Sequence, residues 1–254
     1  ADTIDVRKLT TEGCSSTDST SFMYHNWVTN TFCTEMEDKL QRKFDDITEW
    51  QKRYCKDDIT SDEVIDIYNE WAEVGYDEMM SSEIWGCPKI VADTLEEVHG
   101  SDDEKMRLKI LDIGAGSGQC GIELKKKGFQ HIDGLEPAES MLAKAKEKNV
   151  YETYINTAMI DKDLDINDGI YDVVTASGVA GYFCSKAVRE MTRIVKSGGT
   201  IVIISNYEQR EFHGDLEGTL KSLENEHKII LLKREVKDGY LHKQRADVMV
   251  FKVL

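Results

Sequence analysis

Apolar and polar positions run along this chain in two rhythms. From Ser19 to Tyr54 the apolar residues Phe22, Met23, Trp27, Phe32, Met36, Leu40, Phe44, Ile47 and Trp50 recur mostly at intervals of three to five. That spacing predicts amphipathic helix, as one element or two. Thr60-Ser61-Asp62-Glu63 reads as a cap followed by an acidic first turn. Val64, Ile65, Ile67, Tyr68, Trp71 and Val74 then give a second helix its apolar face, and Gly75 ends it. Pro88 opens a third helix that runs through Val98, and Gly100 to Asp103 reads as a solvated connector.

Near residue 105 the texture changes. Short apolar runs at Leu108–Ile113, His131–Glu136, Thr153–Met159, Tyr171–Ser177 and Thr200–Asn206 read as strands. Helical patterns fall between them at Gln119–Lys127, Glu139–Lys148 and Ser185–Lys196. A last helix, Leu216–Glu226, precedes the strands Lys228–Val236 and His242–Val253, which Lys237-Asp238-Gly239 joins as a hairpin. The alternation predicts an α/β fold of parallel βαβ units that ends in an antiparallel pair. The expected division is a helical extension or lid over residues 1–80 and a ligand-binding domain over 81–254.

The most informative stretch is Lys109-Ile110-Leu111-Asp112-Ile113-Gly114-Ala115-Gly116-Ser117-Gly118. An apolar strand runs directly into glycines and then into a helix, so backbone can pass close to a ligand at the helix start. Two frames fit. Gly116, Gly118 and Gly121 form G-x-G-x-x-G, which would seat a dinucleotide pyrophosphate, but this frame begins late and places its last glycine inside the helix. The better frame has Asp112 ahead of Gly114, Gly116 and Gly118, where a carboxylate disfavours a pyrophosphate and suits a ligand ammonium. Downstream, Glu136 closes the second strand, where a carboxylate can accept both hydroxyl protons of an adenosine ribose. Pro137 and Met141 flank the adenine in this reading. Asp133, in mid-strand, is less well aimed.

Charge and cysteine content narrow the classes. The formal net charge is −16, which disfavours binding to nucleic acid or anionic membrane. The six cysteines stand singly, without C-x-x-C pairs or metal-ligand spacing, so no metal is expected. No apolar run is long enough to span a bilayer, and the first residues lack a signal-peptide pattern. The expectation is a cytoplasmic protein with free thiols.

At these residues the chain resembles the class I S-adenosylmethionine-dependent methyltransferases. The likeness rests on D-I-G-A-G-S-G, on G-L-E-P-A with Ser140-Met141-Leu142, on Tyr171-Asp172-Val173-Val174, on Arg189 through Gly199, and on the antiparallel end of the sheet. It implies a doubly wound, seven-stranded, mostly parallel Rossmann-like sheet and S-adenosylmethionine as cofactor. Upstream, Tyr68-Asn69-Glu70-Trp71-Ala72-Glu73-Val74-Gly75-Tyr76-Asp77 and Cys87-Pro88-Lys89 are similar to the methyltransferase-like subgroup of the Williams–Beuren region. Gly75 shifts the usual spacing of this segment by one residue. Where the family often places an acid for the adenine amino group, Ala158-Met159 stands, with Asp161 just beyond. The cofactor-binding set is therefore Tyr76, Asp112, Gly114, Ala115, Gly116, Gly118, Glu136, Pro137, Met141, Ala158, Met159 and Ser177.

The implied reaction is in-line methyl transfer to a small nitrogen, oxygen or sulfur nucleophile, with rate gained from alignment and exclusion of water. Catalytic candidates are Tyr182 and Asn206 at strand ends and His213 as a titratable base. Trp27, Trp50, Trp71, Tyr76 and Trp85 read either as the core of a helical subdomain or as an aromatic cap over the pocket. An NAD(P)-dependent oxidoreductase and a methyltransferase acting on protein are the alternatives.

Overall fold

The structure, a computed structural model, describes residues 19–56, 59–159, 163–212 and 216–254, with side chains from residue 34 onward except at 210–212. Residues 42–254 form one compact unit.

The first helix, α1 (Ser19–Tyr54), is continuous over 36 residues, and Arg42 onward belongs to the compact unit. A capping box starts α2 (Ser61–Val74): the Thr60 hydroxyl accepts from Glu63 N, and the Glu63 carboxylate accepts from Thr60 N at 2.8 Å. Gly75, at φ +120°, breaks the chain into the single turn α3 (Tyr76–Met79). Then come α4 (Cys87–Val98), with Pro88 in its first turn, and α5 (Asp102–Arg107). The last of these corrects the expected connector. Ser101 caps it by accepting from Glu104 N, and three acids fill its first turn, a helix start too short for periodicity to reveal.

The remaining elements are β1 (Lys109–Ile113), α6 (Gln119–Lys126), β2 (His131–Leu135), α7 (Glu139–Lys148), β3 (Tyr154–Ile155), β4 (Tyr171–Ser177), α8 (Ser185–Ile194), β5 (Val195–Asn206), α9 (Leu216–Asn225), β6 (Ile229–Asp238) and β7 (Arg245–Val253). They build a seven-stranded sheet in the order β3-β2-β1-β4-β5-β7-β6. It is parallel except at β7, which runs antiparallel to both β5 and β6. This is the fold class expected from the sequence. Strand parity divides the core. Leu111, Ile113, Val174, Ala176 and Ile203 face α8 and α9 in one apolar cluster, while Asp112 and its register partner Thr175 point to the opposite face.

The predicted strand Thr153–Met159 shrinks to two residues. Past Ile155 the Asn156 side chain donates to the carbonyls of Glu136 and Pro137, peeling the chain away from the sheet edge. Ala158 and Met159 thereby leave the ladder for the rim of a cavity. Among the described residues, no helix is long and apolar enough to cross a membrane.

Candidate cofactor and acceptor site

A cavity of about 820 Å³ opens at the carboxyl ends of β1, β2, β4 and β5. This is the crevice where open α/β sheets bind ligands. Its floor begins with the turn after β1. The Gly114 and Ala115 amides both donate to Leu135 O, tying that turn to the end of β2. At Gly114, φ is +69° and a Cβ would meet Val179 Cγ1 at 2.2 Å, so the β4 end packs where any side chain would stand. Gly116, at φ +52°, has only Gly114 O near where a Cβ would stand, at 3.9 Å, and its amide donates to Glu136 Oε2 at 2.9 Å.

Glu136 is 7% exposed, and its second oxygen accepts from Ala138 N at 2.8 Å. Burial pushes its carboxyl up to about 7 against the two amides, and the nearby Asp112 charge adds to the rise. A buried carboxylate that holds two backbone donors still has lone pairs facing the cavity. Beside it, Pro137, Met141, Ala158 and Met159 line an apolar slot.

Tyr76, Ala115 and Ser177 also line the cavity, as do Tyr182 and Asn206. Burial raises the Tyr76 phenol, with the carboxylates of Glu136 and Asp77 adding to it. Asn206 is committed at both ends: its amide nitrogen donates to Gln244 Oε1 at 2.9 Å, and its oxygen accepts from Glu208 N. That arrangement suits a residue that closes the strand end rather than one that reacts. His213, Asp161 and the Trp27 side chain lie outside the described residues.

Two expected site residues stand elsewhere. Asp112 does not line the cavity. Its carboxylate is fully buried beneath the turn, accepting from Tyr151 Oη at 2.6 Å and Thr175 Oγ1 at 2.9 Å. Burial lifts it to about 6 even with these donors. Strand alternation is the reason: one position before Ile113, the side chain must point to the other face. Gly118 is likewise a packing position, since a Cβ there would meet Val150 at 3.0 Å and Ala145 at 3.2 Å. Gly121, which the dinucleotide frame requires, sits within α6 where a Cβ would strike the Tyr151 ring at 2.7 Å. It is kept small by a ring rather than by a pyrophosphate.

Sequence reasoning missed Asp77 and the residues it gathers. Ser117 Oγ donates to Asp77 at 2.5 Å, Lys148 Nζ at 2.6 Å and Gln119 Nε2 at 3.2 Å, pinning the turn after β1 to α3 and α7. The Tyr76-Asp77 pair in the upstream motif was the available signal. Also missed were Tyr54, Tyr68, Gly178, Ser205 and Tyr240, all on the cavity wall.

Residues 111–203 match the methyltransferase domain family, a span that contains the turn after β1, Glu136 and the end of β4. The matched span is a methyltransferase domain. The chain is 25% identical over 161 residues to human methyltransferase-like protein 27, covering 62% of this chain and 64% of that protein. It is 32% identical over 104 residues to a Dictyostelium discoideum protein named as a methyltransferase, covering 41% and 38%. The alignments thus span roughly two fifths to just under two thirds of the length of these relatives. Among solved structures, magnesium protoporphyrin IX methyltransferase from Synechocystis PCC 6803, with bound S-adenosylmethionine, superposes with a TM-score of 0.52. That likeness is 12% in identity over 82% of this chain and 91% of the other, and it shows the fold.

The donor set of the cavity fits S-adenosylmethionine. A buried carboxylate with free lone pairs suits two ribose hydroxyls, an apolar slot beside it suits a purine, and the turn at Gly116 leaves room for a close approach.

Proposed function

We propose that this methyltransferase transfers the methyl group of S-adenosylmethionine to a small-molecule nucleophile. The carrying observation is that the cavity does not stop at the cofactor turn. It continues without a break beneath Gln51, Tyr54, Tyr68, Tyr76 and Trp85, so cofactor and acceptor would share one continuous space. A concave recess of this size, lined mostly by apolar and aromatic side chains, suits a small acceptor.

In this reading Glu136 accepts the ribose hydroxyls, and Pro137, Met141, Ala158 and Met159 sandwich the adenine. Gly114, Ala115 and Gly116 give the methionine moiety its backbone bed, with Tyr76 and Ser177 closing over it. The cofactor supplies an electrophilic methyl. The chain's own work is to hold the acceptor in line with that methyl and to keep water out, which lowers the barrier by pre-alignment. The helical segment before residue 80 serves as a lid that selects acceptors, because α2 and the end of α1 supply one wall of the space. Membership of the subgroup of methyltransferase-like protein 27 belongs to this proposal too. The thiols of Cys55, Cys87 and Cys120, none of them in a disulfide, suit a cytoplasmic setting.

The test is a thermal-shift titration of the full chain followed by a metabolite screen with isotopically labelled methyl donor. S-adenosylhomocysteine at a hundredfold excess over its Kd should add about 2.7 kcal/mol of stability, and NAD none. Label should appear in a small molecule. A shift with NAD alone would refute the cofactor assignment, and label appearing only in protein would refute the acceptor class.

A further inference from the structure

The acceptor end of the cavity has an unusual chemical make-up. Its rings form a connected set: Tyr54 stacks on Tyr68 at 5.4 Å, and Tyr182 stands edge-on to both. Trp71 meets Tyr76 at 4.8 Å and 78°, and Tyr76 meets Trp85 at 6.5 Å and 83°. Tyr54, Tyr68, Trp71, Tyr76, Trp85 and Tyr182 all line the cavity, so its acceptor end is walled by aromatic rings. Gly178, at the end of β4, lets Trp85 and the Tyr240 hydroxyl come close: a Cβ would lie 3.6 Å from Trp85 and 3.3 Å from Tyr240 Oη.

Formal charge is nearly missing from this wall. Of the described lining residues only Lys56 and Glu136 carry a charged group; Lys56 is exposed at the rim, and Glu136 belongs to the cofactor end. One polar atom stands out. Ser205, at the end of β5, is 1% exposed and lines the cavity, yet its hydroxyl has no hydrogen-bond partner among the described residues. A buried hydroxyl left unpaired is costly, and a ligand group that pairs with it recovers that cost.

We infer that the acceptor is a flat nitrogen base whose methylation creates a cation, a pyridine-type ring nitrogen or a tertiary aryl amine, held between the faces of Tyr68, Tyr76, Trp85 and Tyr182 with a polar substituent on Ser205. Ring faces carry negative quadrupole density and attract a cation without a counter-charge. An anionic acceptor would have to shed its water with no buried cation among the described lining residues to pair with. The chemistry balances without a base. The nitrogen lone pair forms the N–C bond as the C–S bond breaks, that bond's electron pair stays on sulfur, and the positive charge passes from sulfur to nitrogen. No proton is released. The ring faces, which favour the cation over the neutral base, thereby favour the transition state over the ground state.

This inference rests on the proposed function, and the test separates the two. The full chain is first saturated with S-adenosylhomocysteine, then titrated calorimetrically with N-methylquinolinium, its uncharged isostere 1-methylnaphthalene, and 1-naphthoate. N-methylquinolinium should bind at least tenfold tighter than the isostere, and naphthoate should not bind. Trp85→Leu and Tyr68→Leu should each erase most of that tenfold preference while uptake of S-adenosylhomocysteine persists; Tyr68→Phe should retain it. Equal binding of cation and isostere, no binding of the cation, or tighter binding of the anion would overturn the acceptor class alone. No uptake of S-adenosylhomocysteine would overturn the cofactor reading beneath it.

Discussion

Single carboxylates decide most of the chemistry here, and the two that look alike in the sequence do opposite things. Glu136 faces the cavity and sits near 7 because burial outweighs the two amides that hold it. Its folded value lies above its ordinary 4.5, so the folded chain binds the proton more tightly than the unfolded one. Stability from this group is therefore greatest at low pH, declines as pH rises from about 4.5 to 7, and stays low above that window, at a cost on the order of 3 kcal/mol. Glu136→Gln removes that charge. It should flatten the pH dependence of urea unfolding in the ligand-free protein and weaken S-adenosylhomocysteine binding by roughly tenfold to a hundredfold. A variant that bound S-adenosylhomocysteine like the parent would take the ribose role away from this residue.

Asp112 belongs to the scale of elements, because what it joins is β1, β4 and the segment after α7. Its carboxylate receives Tyr151 and Thr175, and the Tyr151 ring in turn fills the space that Gly121 of α6 and Gly134 of β2 leave open. A Cβ at Gly134 would lie 2.7 Å from that ring. Gly134→Ala should therefore cost about 2–4 kcal/mol by overpacking and by pulling the phenol off Asp112. Asp112→Ala should cost a similar amount, and the double variant less than the sum, because both act through Tyr151. Chemical denaturation of the four proteins measures the coupling; strict additivity would separate the two residues. The sheet itself was readable beforehand, since each apolar run, glycine turn and helix repeats a local pattern. The face on which Asp112 lands was not. Parity is plain within a strand, but which parity meets the ligand depends on helices packed from elsewhere. The aromatic wall was harder still: Tyr54, Tyr68, Trp85, Tyr182 and Tyr240 come from five segments, and only the folded sheet brings them to one crevice.

At the scale of the whole molecule the dominant quantity is the net charge of −16. Read from the sequence, it counts against nucleic acid and anionic membrane as partners. With S-adenosylmethionine as the proposed cofactor, it also makes a kinetic statement. S-adenosylmethionine carries a sulfonium charge that S-adenosylhomocysteine lacks, while the two share the same adenosine and amino-acid ends. A negative protein field draws the charged one in and leaves the neutral one to diffuse unaided, and salt collapses that field beyond about 10 Å at 0.1 M. Between roughly 10 mM and 500 mM salt, the association rate of S-adenosylmethionine should fall severalfold by stopped-flow fluorescence, whereas that of S-adenosylhomocysteine should stay level. Dissociation rates should respond little in either case, because Glu136 and the apolar slot hold both ligands at contact distances that salt does not screen. Parallel salt slopes for the two ligands would show that local contacts, rather than the overall field, govern entry. The same asymmetry would favour turnover, since the field that recruits the charged donor gives no extra hold on the neutral product.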